Sequence, residues 1–371
     1  MRELECFYRD RKVGKLVAVK GGKYAFAYGE GWLDGGFSIS PFSLPLEEGV
    51  FVPKNSVFDG LFGVFADCLP DSWGRLLLSR YLREKGVDEG RLNMLDRLSF
   101  ASGGVGALSF RPSSAETETG NADMDFDELA AECLGLLKAK ELDEKDLDFL
   151  RKMAGSSGGA RPKINVSDEG RVWLVKFPAH VDGDDIGVME YEYNLCAADC
   201  GIDLPRTKLF PSKKAGGYFA SERFDRGASG SGIHMISAAG VLEADFRSPC
   251  LDYNDLMKLT RLVTANNAHD LEQMYRRMCF NVFAHNRDDH AKNFAYLYDE
   301  ASGFYRLSPA YDLTFSSTYY GEHTTSVNGN GKNPGVDDLI AVGVKGGLSG
   351  SLCREIAGQI EDKTKQLDKW V

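Results

Sequence analysis

The segment His285-Asn286-Arg287-Asp288-Asp289-His290-Ala291-Lys292-Asn293-Phe294 carries two consecutive acids, with an asparagine five positions after the first, and Ser308-Pro309-Ala310-Tyr311-Asp312-Leu313 adds a further acid. These residue types fill distinct roles when a phosphoryl group is moved. One carboxylate orients the attacking hydroxyl and takes its proton, while an amide oxygen and a second carboxylate are hard donors of the kind that hold Mg²⁺. Asp288 is the candidate for the first role; Asn293 and Asp312 are candidates for the second. Taken alone, the segment also fits plain turn and capping chemistry, or, through His285, Asp289 and His290, a metal-dependent hydrolase built on imidazole and carboxylate.

Upstream residues decide between these readings. Gly155-Ser156-Ser157-Gly158-Gly159-Ala160-Arg161-Pro162-Lys163 offers small residues whose backbone N–H groups can approach an anion, followed by a lysine, although it is not a Walker A sequence. Val172-Trp173-Leu174-Val175-Lys176-Phe177 puts a second lysine at the end of an apolar strand. A helix from about Ile186 to Cys200 follows, stopped by Gly201, and either Glu190 or Glu192 on it could pair with Lys176. Tyr218-Phe219-Ala220-Ser221-Glu222-Arg223-Phe224-Asp225-Arg226 then runs from a strand into a polar connection, where exposed backbone could meet a nucleotide base. Glycine loop, lysine strand, glutamate helix, hinge strand, Asp…Asn loop and later Asp is the order of parts in a protein kinase.

Composition is compatible with this. The chain has 371 residues, 43% hydrophobic and 27% charged, which suits a soluble globular protein with more than one domain. With 44 Lys and Arg against 55 Asp and Glu the net charge is −11, so the chain alone is a poor match for the phosphate backbone of nucleic acid. No run of 18 apolar residues occurs, and the first residues alternate in charge, so a cytoplasmic protein without a membrane segment is expected. The eight cysteines contain no CxxC pair, and Cys196 and Cys200 read as small apolar core residues. His180, His234, His269 and His323 receive no role. Trp173 and Phe177 read as packing under the sheet.

The periodicity divides the chain. Strands and hairpins are predicted through Leu16–Val19 and Tyr24–Tyr28, then a helix opened by Pro70-Asp71-Ser72 and stopped by Gly86. This gives a small N-terminal α+β domain, 1–110. Residues 111–125, almost without apolar side chains, read as a linker. Helices follow at about 126–140 and 143–154, then strands on Lys163–Val166, Val172–Phe177 and Tyr218–Phe224, and mainly helices from about 252. The second part, 126–371, is therefore expected to be bilobal and kinase-like, with an ATP lobe at about 150–226 and a mostly helical lobe at about 250–371.

On Gly159-Ala160-Arg161-Pro162-Lys163, Glu222-Arg223-Phe224-Asp225-Arg226, Asn286 to Phe294 and Leu307 to Asp312, taken in order, the sequence resembles the HipA family of bacterial toxin kinases. Phe58-Asp59-Gly60-Leu61 and Cys68 to Arg75 similarly resemble that family's N-terminal domain. The resemblance implies an ATP- and Mg²⁺-dependent Ser/Thr protein kinase of a type II toxin–antitoxin pair, acting on a cytoplasmic protein; aminoacyl-tRNA synthetases are targets in the family. By its pattern Asp288 is the catalytic base, Asn293 and Asp312 hold Mg²⁺, and Lys176 and His290 contact the nucleotide. Gly158, Gly159, Ala160, Arg161, Pro162 and Lys163 cover the phosphates, and the backbone of Glu222 and Phe224 meets adenine. Ser156, or its neighbour Ser157, corresponds to the autophosphorylated serine, where added negative charge would push the loop away from the triphosphate. A helix-turn-helix antitoxin is the implied partner, with DNA contacted only through it. Two other readings fit the residues: a non-catalytic partner of a DNA-binding antitoxin, and a kinase-fold phosphotransferase acting on a small molecule. Asp289, directly after the base, departs from members that place a small residue there.

Overall fold

The computed structural model describes residues 1–101, 105–114, 119–138, 144–154, 161–227, 230–248, 250–318 and 321–371. The predicted phosphate-covering residues Gly158, Gly159 and Ala160, and the candidate phosphorylation sites Ser156 and Ser157, lie outside the described residues. The chain forms two compact units, Met1–Val188 with Arg206–Met235, and Met189–Pro205 with Ile236–Val371. Both mix helix and sheet, so the fold is α+β.

In the first unit, a four-stranded antiparallel sheet runs in the order Lys23–Tyr28, Arg11–Val19, Glu3–Tyr8, Leu108–Arg111. Its register aligns Leu4, Leu16 and Phe26 in one buried row, while Val17 and Val19 on the opposite face stay exposed. That is the period-two alternation expected of a sheet with one dry face. Gly14 is required in this register: a Cβ there would stand 2.2 Å from the Ala27 carbonyl oxygen and press on the Phe26 ring. The helix Ser72–Glu84 starts after Pro70-Asp71 as predicted and ends at Gly86, whose φ of +67° lets Val87 N–H reach back to the Leu82 carbonyl.

A five-stranded sheet follows in the order Gly120–Asn121, Lys163–Asp168, Arg171–Lys176, Tyr218–Glu222, Thr207–Phe210. The end of the expected linker thus enters a sheet, Gly120 pairing in parallel with Val166, and the edge strand Thr207–Phe210 lay outside the predicted strands. One face of this sheet packs on the helices Phe126–Leu137 and Glu144–Ala154. Trp73 and Leu77 share that core with Trp173, Val175 and Phe177. The N-terminal helix is therefore built into the same hydrophobic layer as the strands that carry Lys163 and Lys176.

The second unit is organised by the helices Tyr253–Val263, Ala268–Phe283, Val336–Lys345 and Gly350–Thr364. Asp252 and Asn267 cap the first two by accepting backbone N–H groups, as short polar side chains at helix starts do. Gly343 permits close helix contact, since a Cβ there would lie 2.4 Å from Cys353 Sγ and 2.6 Å from the Tyr275 ring. Strands Ala295–Asp299 and Phe304–Leu307 form an antiparallel hairpin between the two candidate segments of the site. Cys196 and Cys200 are buried, as expected. Among the described residues no helix is long and apolar enough to cross a membrane.

Candidate functional site

The helix Ala268–Phe283 delivers the chain to the Asp288 loop. At its end His285 adopts φ +54°, and Asn286 N–H returns to the Asn281 carbonyl at 2.9 Å, turning the backbone out of the helix. Asp289 is then fully buried. Its Oδ2 accepts from the Tyr253 hydroxyl at 2.8 Å and lies 2.9 Å from His323 Nδ1; its Oδ1 accepts from Thr325 N–H at 3.1 Å. The Tyr253 hydroxyl accepts in turn from Asn281 Nδ2 at 2.9 Å, and Asn281 Oδ1 accepts from Asn286 Nδ2 at 3.0 Å.

Asp288, one residue earlier, keeps 58% of its side chain exposed. The adjacent acids thus face opposite ways. Asn293 Nδ2 donates to the Asp288 carbonyl at 2.8 Å, which turns its amide oxygen to the other side as an acceptor. His290 Nε2 stands 4.0 Å from Asp288 Oδ1, and its ring lies against Phe246.

Asp312 is tied to this loop at two points. Asn286 Nδ2 reaches the Asp312 carbonyl at 3.4 Å, a weak contact, and the Tyr311 hydroxyl donates to the Lys292 carbonyl at 2.5 Å. Asp312 itself has a left-handed backbone, φ +52°. Beneath it the buried Arg277 donates to the Ser308 carbonyl. Burial lowers the Arg277 pKa to about 10, against the pull of Asp203 and neighbouring hydroxyls, so the side chain remains a cation at neutral pH. An amide oxygen and a carboxylate are a donor set suited to Mg²⁺. The hydrolase reading loses its ligand set, because both Asp289 oxygens are engaged within the core.

The first unit holds the remaining candidates. Lys163, which is buried, and Lys176 are paired across antiparallel strands and so project to the same face of the sheet. The Lys163 carbonyl accepts from Trp73 Nε1 at 3.1 Å, and Phe177 N–H donates to the Pro162 carbonyl at 2.8 Å. Arg161, expected over the phosphates, makes a bidentate pair with Asp182 at 2.9 and 3.0 Å. Glu222 N–H donates to the Arg206 carbonyl, and its carboxylate pairs with Arg171 at 3.1 Å. Phe224 is half-buried. The charged residues between and after them act structurally: Arg223 and Arg226 both bind the buried Asp225, whose Oδ2 also accepts Gly106 N–H at 2.8 Å. Burial alone would raise the Asp225 pKa, but the two guanidinium groups and the amide outweigh it and hold the carboxyl below its usual range.

The two candidate glutamates differ in their surroundings. Glu192 pairs with Lys369 at 2.7 Å and accepts from Trp370 Nε1 at 2.6 Å, whereas Glu190 is buried. Sequence reasoning missed Tyr253, His323 and Thr325, which converge on Asp289, and Asn281, which bonds to Tyr253. Nothing in their local spacing marks them, and His323 in particular was given no role.

Comparison with known proteins agrees with both parts of the chain. Residues 4–111 match the HipA N-terminal domain and residues 155–367 the HipA-like C-terminal domain. A Sinorhizobium fredii protein provisionally named a kinase, Y4mE, is 26% identical over 86% of this chain and 78% of its own length. The HipA chain from a Shewanella oneidensis complex of HipA, HipB and operator DNA superposes with a TM-score of 0.73 at 18% identity, covering 98% of this chain and 89% of that one. With two domains matched in the expected order, and the second alone spanning more than half of its length, the chain belongs to the HipA family.

Proposed function

We propose that the protein is an ATP- and Mg²⁺-dependent Ser/Thr protein kinase working beside a helix-turn-helix antitoxin. The observation that carries this reading is the double tie between the Asp288–Asn293 loop and the Asp312 segment, through Asn286 to the Asp312 carbonyl and through Tyr311 to the Lys292 carbonyl. It joins the two segments whose acids and amide the chemistry requires. In the proposed reaction the bond between the γ-phosphorus and the oxygen bridging to ADP breaks, a bond to the acceptor hydroxyl forms, and the hydroxyl proton passes to Asp288. Mg²⁺, when bound, neutralises charge developing on the phosphate oxygens. Asn293 and Asp312 would hold it by their oxygens, Lys176 and His290 would contact the nucleotide, and Lys163 with its preceding loop would cover the phosphates. Either Glu190 or Glu192 is the proposed partner of Lys176.

The reading is supported by family membership and, for the antitoxin partner, by the HipB and operator DNA named with the Shewanella relative. The net charge of −11 fits DNA contact made by that partner. Ser156 is the proposed site of self-modification. The test is incubation with radiolabelled ATP and Mg²⁺: the chain should label itself, Asp288→Ala and Asp312→Ala should abolish labelling with folding intact, and Ser156→Ala should remove the labelled site. Equal labelling of all these variants would overturn the assignment, and label appearing only on small metabolites would move the acceptor to a small molecule.

A further inference from the structure

Asp289 is an unusual residue to find beside a proposed catalytic base, because a carboxylate is expensive to bury unless its oxygens are satisfied. Here it has no solvent exposure, and it gathers donors from two separated parts of the second unit, Tyr253 and the segment holding His323 and Thr325. The segment 323–325 is strapped along the loop by further bonds. Thr324 N–H and hydroxyl both donate to the Arg287 carbonyl, at 3.0 and 3.1 Å, and the Thr325 hydroxyl donates to the Asp289 carbonyl at 2.5 Å. From Tyr253 the chain of hydrogen bonds continues through Asn281 and Asn286 to the Asp312 carbonyl. Tyr253, Asn281, Asn286 and His323 are each at least 95% buried.

We infer that Asp289 and His323 are positioning residues for phosphoryl transfer, a buried pair that fixes the direction in which Asp288 projects. The inference rests on the kinase reading above. Neighbouring residues of an extended segment point to opposite sides, so anchoring Asp289 inward turns Asp288 outward, as its exposed side chain attests. The same anchor reaches Asp312 through the asparagines, so one network bears on both segments of the site. A carboxylate pointing away from the acceptor hydroxyl by a small angle still leaves nucleotide binding intact while slowing transfer. The role therefore predicts a loss in rate at saturating ATP and little change in the ATP concentration that half-saturates.

The experiment compares self-labelling by the full chain and three His323 variants. His323→Leu removes the donor; His323→Asn restores an N–H near the place of Nδ1; His323→Gln carries its N–H farther out, near the place of Nε2. His323→Leu and His323→Gln should lose about 10- to 100-fold in saturated rate with half-saturating ATP within about twofold, and His323→Asn should recover most of the rate. Thermal melting of each variant accompanies the assay. If His323→Leu fails to fold, the contrast between Asn and Gln decides, and equal rates for those two overturn the positioning role. No transfer by the unaltered chain would remove the kinase reading itself. Transfer that Asp288→Ala abolishes but all three His323 variants retain would remove this inference alone.

Discussion

Asp225 in the first unit and Asp289 in the second are both shut away from solvent, yet the first is bound by Arg223 and Arg226 and the second by a tyrosine hydroxyl, a histidine nitrogen and a backbone N–H. The two guanidinium groups come from the same stretch of chain as Asp225, so the ion pairs are local, while bonds out of the cluster run to the backbone of Gly106 and to Asn165 Oδ1. It locks the end of the Tyr218–Glu222 strand to the segment entering Leu108–Arg111. The Asp289 cluster is the reverse: every donor is distant in sequence, and what it locks is the loop that carries the exposed Asp288. The ion cluster is built from neighbours in sequence; the hydrogen-bond network is the one we propose sets the direction of Asp288.

The comparison can be broken at several points. The largest effect is expected from Asp288→Ala, which should reduce transfer by about 10³-fold or more, roughly 4 kcal/mol of transition-state stabilisation, with an unchanged melting temperature because the side chain is exposed. A matching fall in stability would show that the Asp288 side chain belongs to the structural network after all.

Asp225→Asn should act in the opposite sense, on stability first. Breaking a buried ion cluster by removing one member costs about 3 kcal/mol at neutral pH. The Asp225 carboxyl titrates below its ordinary value in the folded chain, so its contribution is complete above an unfolded-state pKa of about 4 and is lost as pH falls through the lower folded-state value. Urea unfolding at pH 7 and near pH 3 should therefore find the deficit of the variant smaller in acid. A deficit independent of pH would assign the effect to packing.

Smaller effects sharpen the division between the glutamates of one helix. Glu190→Gln should slow transfer about tenfold, roughly 1.4 kcal/mol. Glu192→Gln should leave the rate unchanged and alter stability by no more than about 1 kcal/mol, the range of a partly exposed ion pair. Reversed outcomes in the transfer assay would exchange their roles. The smallest effect is expected for Trp73→Phe, which removes the donor to the Lys163 carbonyl while keeping an aromatic body in the shared core. It should lower stability by about 1 kcal/mol in urea unfolding and weaken ATP affinity measurably. Unchanged affinity would separate the N-terminal helix from the phosphate-facing strand.

Much of the fold was legible because it follows local rules. The helix Ser72–Glu84 announced itself by Pro70-Asp71 and Gly86, and the strand ending at Lys176 by its apolar run. The edge strand Thr207–Phe210 was not read, since four residues offer too little alternation and their strand character depends on Tyr218–Glu222 lying alongside. In the candidate site, Asp288 and Asn293 stood out by their kinase spacing and Asp312 as a further acid downstream. The partners of Asp289 were not: Tyr253 lies in a helix, His323 in a loop, and neither carries a local signature.

The amino-acid order by itself determined which groups could do phosphoryl chemistry, in what sequence they occur along the chain, and which family the chain resembles, because residue type and spacing are properties of one dimension. Only the tertiary structure decided which acid of the consecutive pair is buried, that Glu192 is bound by Lys369 and Trp370, and that Arg161 is held by Asp182. Those outcomes depend on solvent exclusion and on donors brought from distant segments, and neither exists until the chain has packed.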